Sequence, residues 1–225
     1  MGQGQIRMGG FNILPTGVKN LLIINVLLFF ATVVFQQTGL VDLERWLGLH
    51  YFSSQLFQPW QPVTYMFMHA NFGHLFFNMF ALWIFGAAVE NTWGTKRFLL
   101  YYFITGVSAG LMHYLVIYFQ IHPTIALMNQ FNLVGASGAV FALLLAFGML
   151  FPNAEIYIYF LFPIKAKWFV VIYGALELIY GVAGTGDGVA HFAHLSGMLV
   201  GLLLILLWRR GENNRRKNNF YYHEF

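Results

Sequence analysis

The chain has 225 residues, of which 59% are hydrophobic, 19% aromatic and only 9% charged, with a net charge of +4 and a mean hydropathy of +0.63. Soluble domains run near ~45–50% apolar and ~25% charged, so this composition excludes an ordinary soluble globule and a disordered chain. The absence of cysteine further excludes a disulfide scaffold, thiol nucleophiles, thiolate metal sites and iron–sulfur clusters.

A membrane-crossing helix needs roughly 20 mainly apolar residues, and the chain offers six candidate spans. They read as Leu21–Gln36, Gly73–Glu90, Phe98–Phe119, Ala136–Phe151, Trp168–Ala183 and Ala190–Trp208, the fourth being short. Long runs rich in Leu, Phe and Gly favour helices over barrel strands, which alternate at period two. The expected fold is an all-α membrane protein, a six-transmembrane-helix bundle with a membrane-associated first loop. Residues 1–20 form an N-terminal segment, 21–208 the bundle and 209–225 a basic tail. The first apolar run has no small-residue cleavage site after it, so it is expected to be a retained span and not a removed signal peptide.

Charge placement supports the count. With six spans, Arg7, Lys19, Lys96, Arg97, Lys165, Lys167, Arg209, Arg210, Arg215, Arg216 and Lys217 all fall on one side, and Arg45 alone on the other. The positive-inside rule then places both termini in the cytoplasm. The basic tail is a topology and lipid-headgroup signal, and no nucleic-acid partner is expected. The long first loop, 37–72, carries Trp46 and Trp60 with several Phe and Tyr, which suits the membrane interface.

Ionisable or amide side chains inside a bundle mark functional sites by default. Three clusters stand at the non-cytoplasmic ends of spans two, four and six: His69 to Asn78, Gly135 to Gly138, and His191 to Gly201. Alternate spans of an up-down bundle present these ends on one face. His74 and Asn78, four apart, share a helix side. Ser137 opens span four beside free backbone N–H groups; as a lone serine it would be a helix cap. Ala193, Gly197 and Gly201 form a small-residue stripe that lets a neighbouring helix approach. That stripe accounts for the glycines but not for the adjacent His194.

Serine and histidine on matching helix ends point to nucleophilic hydrolysis. Ser137 attacks, and His194 takes its proton and returns it to the leaving group. His74, Asn78 and the Ser137 backbone N–H are placed to supply oxyanion donors, each typically worth ~3–4 kcal/mol. Spans two, four and six carry no carboxylate at this depth, so the expectation is a Ser–His dyad with the imidazole oriented by packing. Phe141, one turn after Ser137, is the candidate ring for His194 to stack on. No cofactor or metal is expected.

At these residues the sequence resembles the rhomboid family of intramembrane serine proteases, over essentially the whole six-span chain. The family's His-x4-His-x3-Asn reads as His69, His74 and Asn78; its Gly-x-Ser-Gly as Gly135, Ser137 and Gly138; its Ala-His-x-x-Gly-x-x-x-Gly as Ala193, His194, Gly197 and Gly201. The resemblance implies a Ser137–His194 dyad and an oxyanion hole of His74, Asn78 and the Ser137 amide. It also implies His69 as a loop-shaping residue, transmembrane protein substrates cut at small residues, contact with membrane lipids and a bacterial inner-membrane location. Two departures are present: Trp60-Gln61 where many members have Trp-Arg, leaving that arginine's role missing or moved, and Phe141 where many bacterial members have Tyr.

Other readings compete. Gly184-Thr185-Gly186-Asp187 imitates the Gly-x-Gly-Asp of aspartyl intramembrane proteases, but two carboxylates are required and the other aspartate, Asp42, sits in the first loop. No His-Glu-x-x-His zinc motif occurs. A histidine-lined transporter or haem-binding membrane protein could use His69, His74, His113, His191 and His194. In that reading Glu177, the only deep carboxylate in span five, serves packing or a helix–helix hydrogen bond as readily as transport. A non-catalytic rhomboid-fold chaperone is the remaining alternative. For a protease, the glycines of 181–184 and the loop after them suggest span five as a lateral gate.

Overall fold

The computed structural model describes residues 11–121, 132–158, 161–184 and 190–221. Among them the helices are α1 (Thr16–Thr38), α2 (Leu43–Leu47), α3 (Gln61–Thr64), α4 (Phe72–Trp93), α5 (Thr95–Ile121), α6 (Ser137–Leu150), α7 (Ala166–Ala183) and α8 (His191–Tyr221). By length and composition, α1, α4, α5, α7 and α8 can each cross a membrane, and α6 is a shorter apolar helix. The six expected spans therefore appear in order, and the chain is an integral membrane protein. Helix α8 continues to Tyr221, beyond the expected end of the last span. Arg7, Asp187 and residues 128–131 lie outside the described residues.

Helix α6 is the axis of the bundle. Its 14 residues extend about 21 Å at the usual rise, less than a ~30 Å hydrocarbon layer. It packs against α4, α5, α7 and α8. Gly138, Ala139, Val140, Ala142, Leu143, Leu144, Ala146 and Gly148 are all buried. Small side chains let the neighbours close around it, and the helix can begin below the surface because protein, not lipid, surrounds its first turn.

Several polar groups pin the elements around this axis. Glu90 in α4 is 2% exposed; its carboxylate accepts the backbone N–H groups of Gly17 and Val18 at 2.8 Å each and the Thr95 hydroxyl at 2.6 Å. It thereby caps the otherwise unsatisfied first turn of α1 with a charge of the favourable sign. On the same end Arg97 pairs with Glu212 at 2.6 Å and lies over the Trp208 ring. Tyr101 donates to the Ala142 carbonyl at 2.8 Å, tying α5 to α6.

The first loop is organised by Gln61, which is fully buried. Its Oε1 accepts from the backbone N–H groups of His50 and Gln58, and its Nε2 donates to the carbonyls of Trp46 and Leu56. The amide thus performs a stapling task at the position where the family often carries arginine. Strand β1 (Leu49–His50) pairs antiparallel with β2 (Asn132–Leu133), matching Leu49 to Leu133 and His50 to Asn132. This pairing brings the segment before α6 onto the first loop.

A hairpin of β3 (Glu155–Ile158) and β4 (Phe162–Lys165) joins α6 to α7, an element the apolar-run reading did not contain. Its Ile, Tyr and Phe residues suit strands, but four residues per strand are too few to register against long helical runs. Helix α7 packs against α6 and α8 but is the least buried of the long spans. Only Ala166, Val170 and Glu177 are buried along it, while Val171, Ile172, Leu178, Ile179 and Val182 are exposed and form a lipid-type surface.

Candidate active site

Ser137 is the first residue of α6, and the cap position before it is held by Ala136, whose side chain makes no cap hydrogen bond. Ser137 Oγ lies 2.8 Å from Nε2 of His194, which belongs to the first turn of α8. The serine is thus not the cap residue, and its hydroxyl is engaged across helices. The imidazole is 7% exposed. Its other face lies parallel to the Phe141 ring, with centroids 4.2 Å apart and 7° between planes. Ser137 and Phe141 are one turn apart on α6, so a single helix face presents both the hydroxyl and the ring on which the imidazole rests.

The approach of α8 to α6 depends on glycine. A Cβ added at Gly197 would lie 2.0 Å from the Gly138 carbonyl oxygen, so the two backbones touch there. Gly201 lies one turn further along the same seam, against Tyr101 and Ala142.

Gly135 shapes the entrance to α6. Its φ of 127° is costly for a residue with a Cβ, and its N–H donates to the Tyr65 carbonyl at 2.9 Å. A Cβ at this position would lie 2.7 Å from the His74 imidazole and 3.7 Å from Ser137 Oγ. His74 and Ser137 therefore flank the same small space above the Gly135 backbone.

His74 is held by its own helix. Asn71 caps α4, accepting the His74 backbone N–H at 2.8 Å. The Asn78 amide donates to the His74 carbonyl at 2.8 Å, which leaves its second N–H for another acceptor. His69 is 2% exposed, and its ring meets His74 edge-on at 5.0 Å. Burial, reinforced by the His74 ring, pushes His69 down to about 3, so it is neutral over the physiological range. It buttresses His74 and carries no charge.

One expectation needs correction. The His194 imidazole is oriented not by packing alone but also by a carboxylate. Glu177, from α7, accepts a hydrogen bond from His194 Nδ1 at 2.9 Å and another from His191 Nδ1 at 2.8 Å, both on Oε2. The sequence marks Glu177 as the deep carboxylate of span five, yet nothing in the spacing shows which way α7 is turned. Spans two, four and six supply no acid to His194; the fifth does.

Among the described residues, Glu177, His191 and His194 are also the one trio of metal-binding residue types whose ligand atoms cluster, within 4.8 Å. Their Nδ1 and Oε2 atoms already satisfy one another, and His194 Nε2 is engaged by Ser137. The donor set is thus explained by hydrogen bonds. Asp187 of the rival aspartyl reading lies outside the described residues.

The chain is 35% identical over 198 residues to Rhomboid-like protein 11, chloroplastic, of Arabidopsis thaliana, covering 84% of this chain and 64% of that protein. It is 28% identical over 168 residues to Rhomboid protease GlpG of Yersinia pseudotuberculosis serotype I (strain IP32953), covering 74% and 54%. The same identity holds over 171 residues with Rhomboid protease GlpG of Yersinia pestis (strain Pestoides F). The chain thus spans less than two thirds of the length of these relatives. A family profile described as Rhomboid domain matches residues 56–211, a segment that contains Ser137, His194, His74 and Asn78. The chain belongs to the rhomboid family.

Proposed function

We propose that this protein is an intramembrane serine endopeptidase that hydrolyses peptide bonds in or near the transmembrane segments of other membrane proteins. The observation that carries the reading is the 2.8 Å contact between Ser137 Oγ and His194 Nε2, made between two membrane helices. In this reading Ser137 donates its proton to Nε2 as its oxygen attacks the scissile carbonyl. The imidazolium then protonates the leaving amine, and a water molecule, deprotonated by the same nitrogen, releases the acyl group.

The oxyanion of each tetrahedral intermediate is received by His74, the Asn78 amide and the Ser137 backbone N–H. The last belongs to the first turn of α6 and has no acceptor within the helix. His69, Gly135, Gly138, Phe141, Gly197 and Gly201 hold these groups in place. No cofactor or metal enters the reaction. The substrate must unwind locally to expose its peptide bond, which favours helix-breaking Gly or Pro near the cut; the family resemblance suggests a small residue at the cleaved position. We further place both termini in the cytoplasm on the strength of the basic-residue asymmetry, and the protein in a bacterial inner membrane on the strength of its similarity to bacterial rhomboid proteases.

The test is cleavage of a fluorogenic transmembrane substrate by detergent-solubilised protein, together with labelling by a fluorophosphonate. Wild type should cleave and take the label at Ser137. Ser137→Ala and His194→Ala should each lose cleavage by at least about a hundredfold while remaining folded. Cleavage that survives Ser137→Ala would end the reading.

A further inference from the structure

Glu177 is one of only three buried residues on α7, the span most exposed on its remaining surface. A carboxylate inside a bundle is unfavourable unless donors surround it. Here one oxygen receives two N–H groups, both from the first turn of α8. The second of those imidazoles simultaneously faces Ser137 Oγ with its other nitrogen. Serine, imidazole and carboxylate therefore form a continuous chain across three helices, α6, α8 and α7.

We infer that Glu177 is a positioning residue for the base, so that the hydrolytic unit comprises Ser137, His194 and Glu177 with His191 as a second anchor for the carboxylate. The inference rests on the protease reading and deepens it. An ionised carboxylate only accepts hydrogen bonds. Placed 2.9 Å from Nδ1, it fixes the proton on that nitrogen and leaves the Nε2 lone pair directed at the serine hydroxyl. When the serine proton moves to Nε2, the ring becomes cationic beside a fixed negative charge. The charge then developing on His194 is stabilised at a buried pair by a carboxylate already in place.

His191 gives the carboxylate a second donor, so Oε2 is held even as His194 changes charge. Phe141 fixes the ring plane and Glu177 fixes its rotation within that plane; the two constraints are independent. The other imidazoles in electrostatic reach of His194 are those of His74 on α4 and His113 on α5. A purely structural role, a tether of α7 to α8, would need only one of the two histidines. It would not require that the tethered nitrogen belong to the ring that contacts the serine.

The experiment compares wild type, Glu177→Ala, Glu177→Gln and Ser137→Ala as full-length protein in detergent. Three quantities are measured: kcat and KM on the fluorogenic substrate, the rate of fluorophosphonate labelling, and the melting temperature. The small probe reports the nucleophile without requiring a transmembrane segment to enter beside α7. Glu177→Ala should lower kcat and the labelling rate together by roughly a hundredfold, with KM changed less than about threefold. Glu177→Gln, whose amide oxygen still accepts from both Nδ1 groups, should recover about tenfold of that loss.

A labelling rate per folded molecule equal to wild type in Glu177→Ala would overturn the inference and leave the protease reading standing. So would a loss that follows only the fall in melting temperature. If wild type neither cleaves nor labels, or behaves as Ser137→Ala does, the protease reading falls and this inference falls with it.

Discussion

Gly197 on α8 rests against the backbone of Gly138 on α6, so closely that a Cβ added at 197 would stand 2.0 Å from the Gly138 carbonyl oxygen. Gly197 lies one turn after His194 on α8, and Gly138 directly follows Ser137 on α6. The contact sets the separation of the two helices and hence the 2.8 Å reach from hydroxyl to imidazole. Gly197→Ala must push α8 away from α6, and overpacking of this kind costs about 1–3 kcal/mol. We expect at least a tenfold loss of cleavage and a lower melting temperature. Gly174→Ala is the matched control: its Cβ would meet only the flexible end of Met198 at 3.4 Å, and activity should stay within about twofold. Full activity in Gly197→Ala would show that the seam is not what holds the pair together.

The parallel stack of Phe141 on His194, at 4.2 Å and 7°, predicts a graded series. Aromatic pairs contribute about 0.5–1.5 kcal/mol beyond area burial, a factor of roughly two to ten. Phe141→Leu should therefore lower kcat by that factor, and Phe141→Tyr should leave it unchanged, because the stacking face is retained. Steady-state kinetics on the transmembrane substrate reads both.

Gln61 is a stability residue of the first loop. Its side chain serves two backbone N–H groups and two carbonyls while fully buried. Gln61→Ala strands these groups, at about 1–3 kcal/mol for each one left unsatisfied. The melting temperature should drop clearly, with kcat of the folded fraction affected less than twofold. A melting curve that overlays wild type would contradict the stapling role.

His69 links stability to pH. A free imidazole titrates near ~6.5, whereas burial and the neighbouring His74 hold His69 at about 3. Between those two values the unfolded chain binds a proton that the folded chain refuses, so stability falls as pH falls through the window and is fully present above it. Melting temperatures measured from pH 7.5 down to about 4.5 should decline more steeply in wild type than in His69→Gln, which cannot titrate. Parallel curves would remove His69 from the acid sensitivity.

Chelation offers a further check. Because Glu177, His191 and His194 satisfy one another and Ser137, prolonged treatment with EDTA should leave both cleavage and melting temperature unchanged. A loss restored by a divalent cation would require the trio to be reassigned.

The order of the spans, their polar ends and the pairing of Ser137 with His194 were legible in the sequence because each rests on one-dimensional information. A run of apolar residues fixes what must lie in lipid, alternation of helix direction fixes which ends share a face, and basic residues mark the opposite face. Even the α6–α8 seam is written in Ala193, Gly197 and Gly201, since small residues at one-turn spacing have few other uses in a bundle. What spacing does not carry is rotation about a helix axis relative to a distant neighbour. That is why Glu177, recognisable as a buried acid, could not be joined to His191 and His194, residues 14 and 17 positions away, until α7 was packed against α8. The same holds for Gln61, whose four backbone partners come from separate turns of the first loop, and for Glu90, which reaches back more than 70 residues to cap α1. Hydropathy and motif order determined the membrane architecture and the pairing of Ser137 with His194. Only tertiary packing decided which carboxylate meets the His194 imidazole, because hydrogen bonding depends on angles and ångströms that no sequence interval encodes.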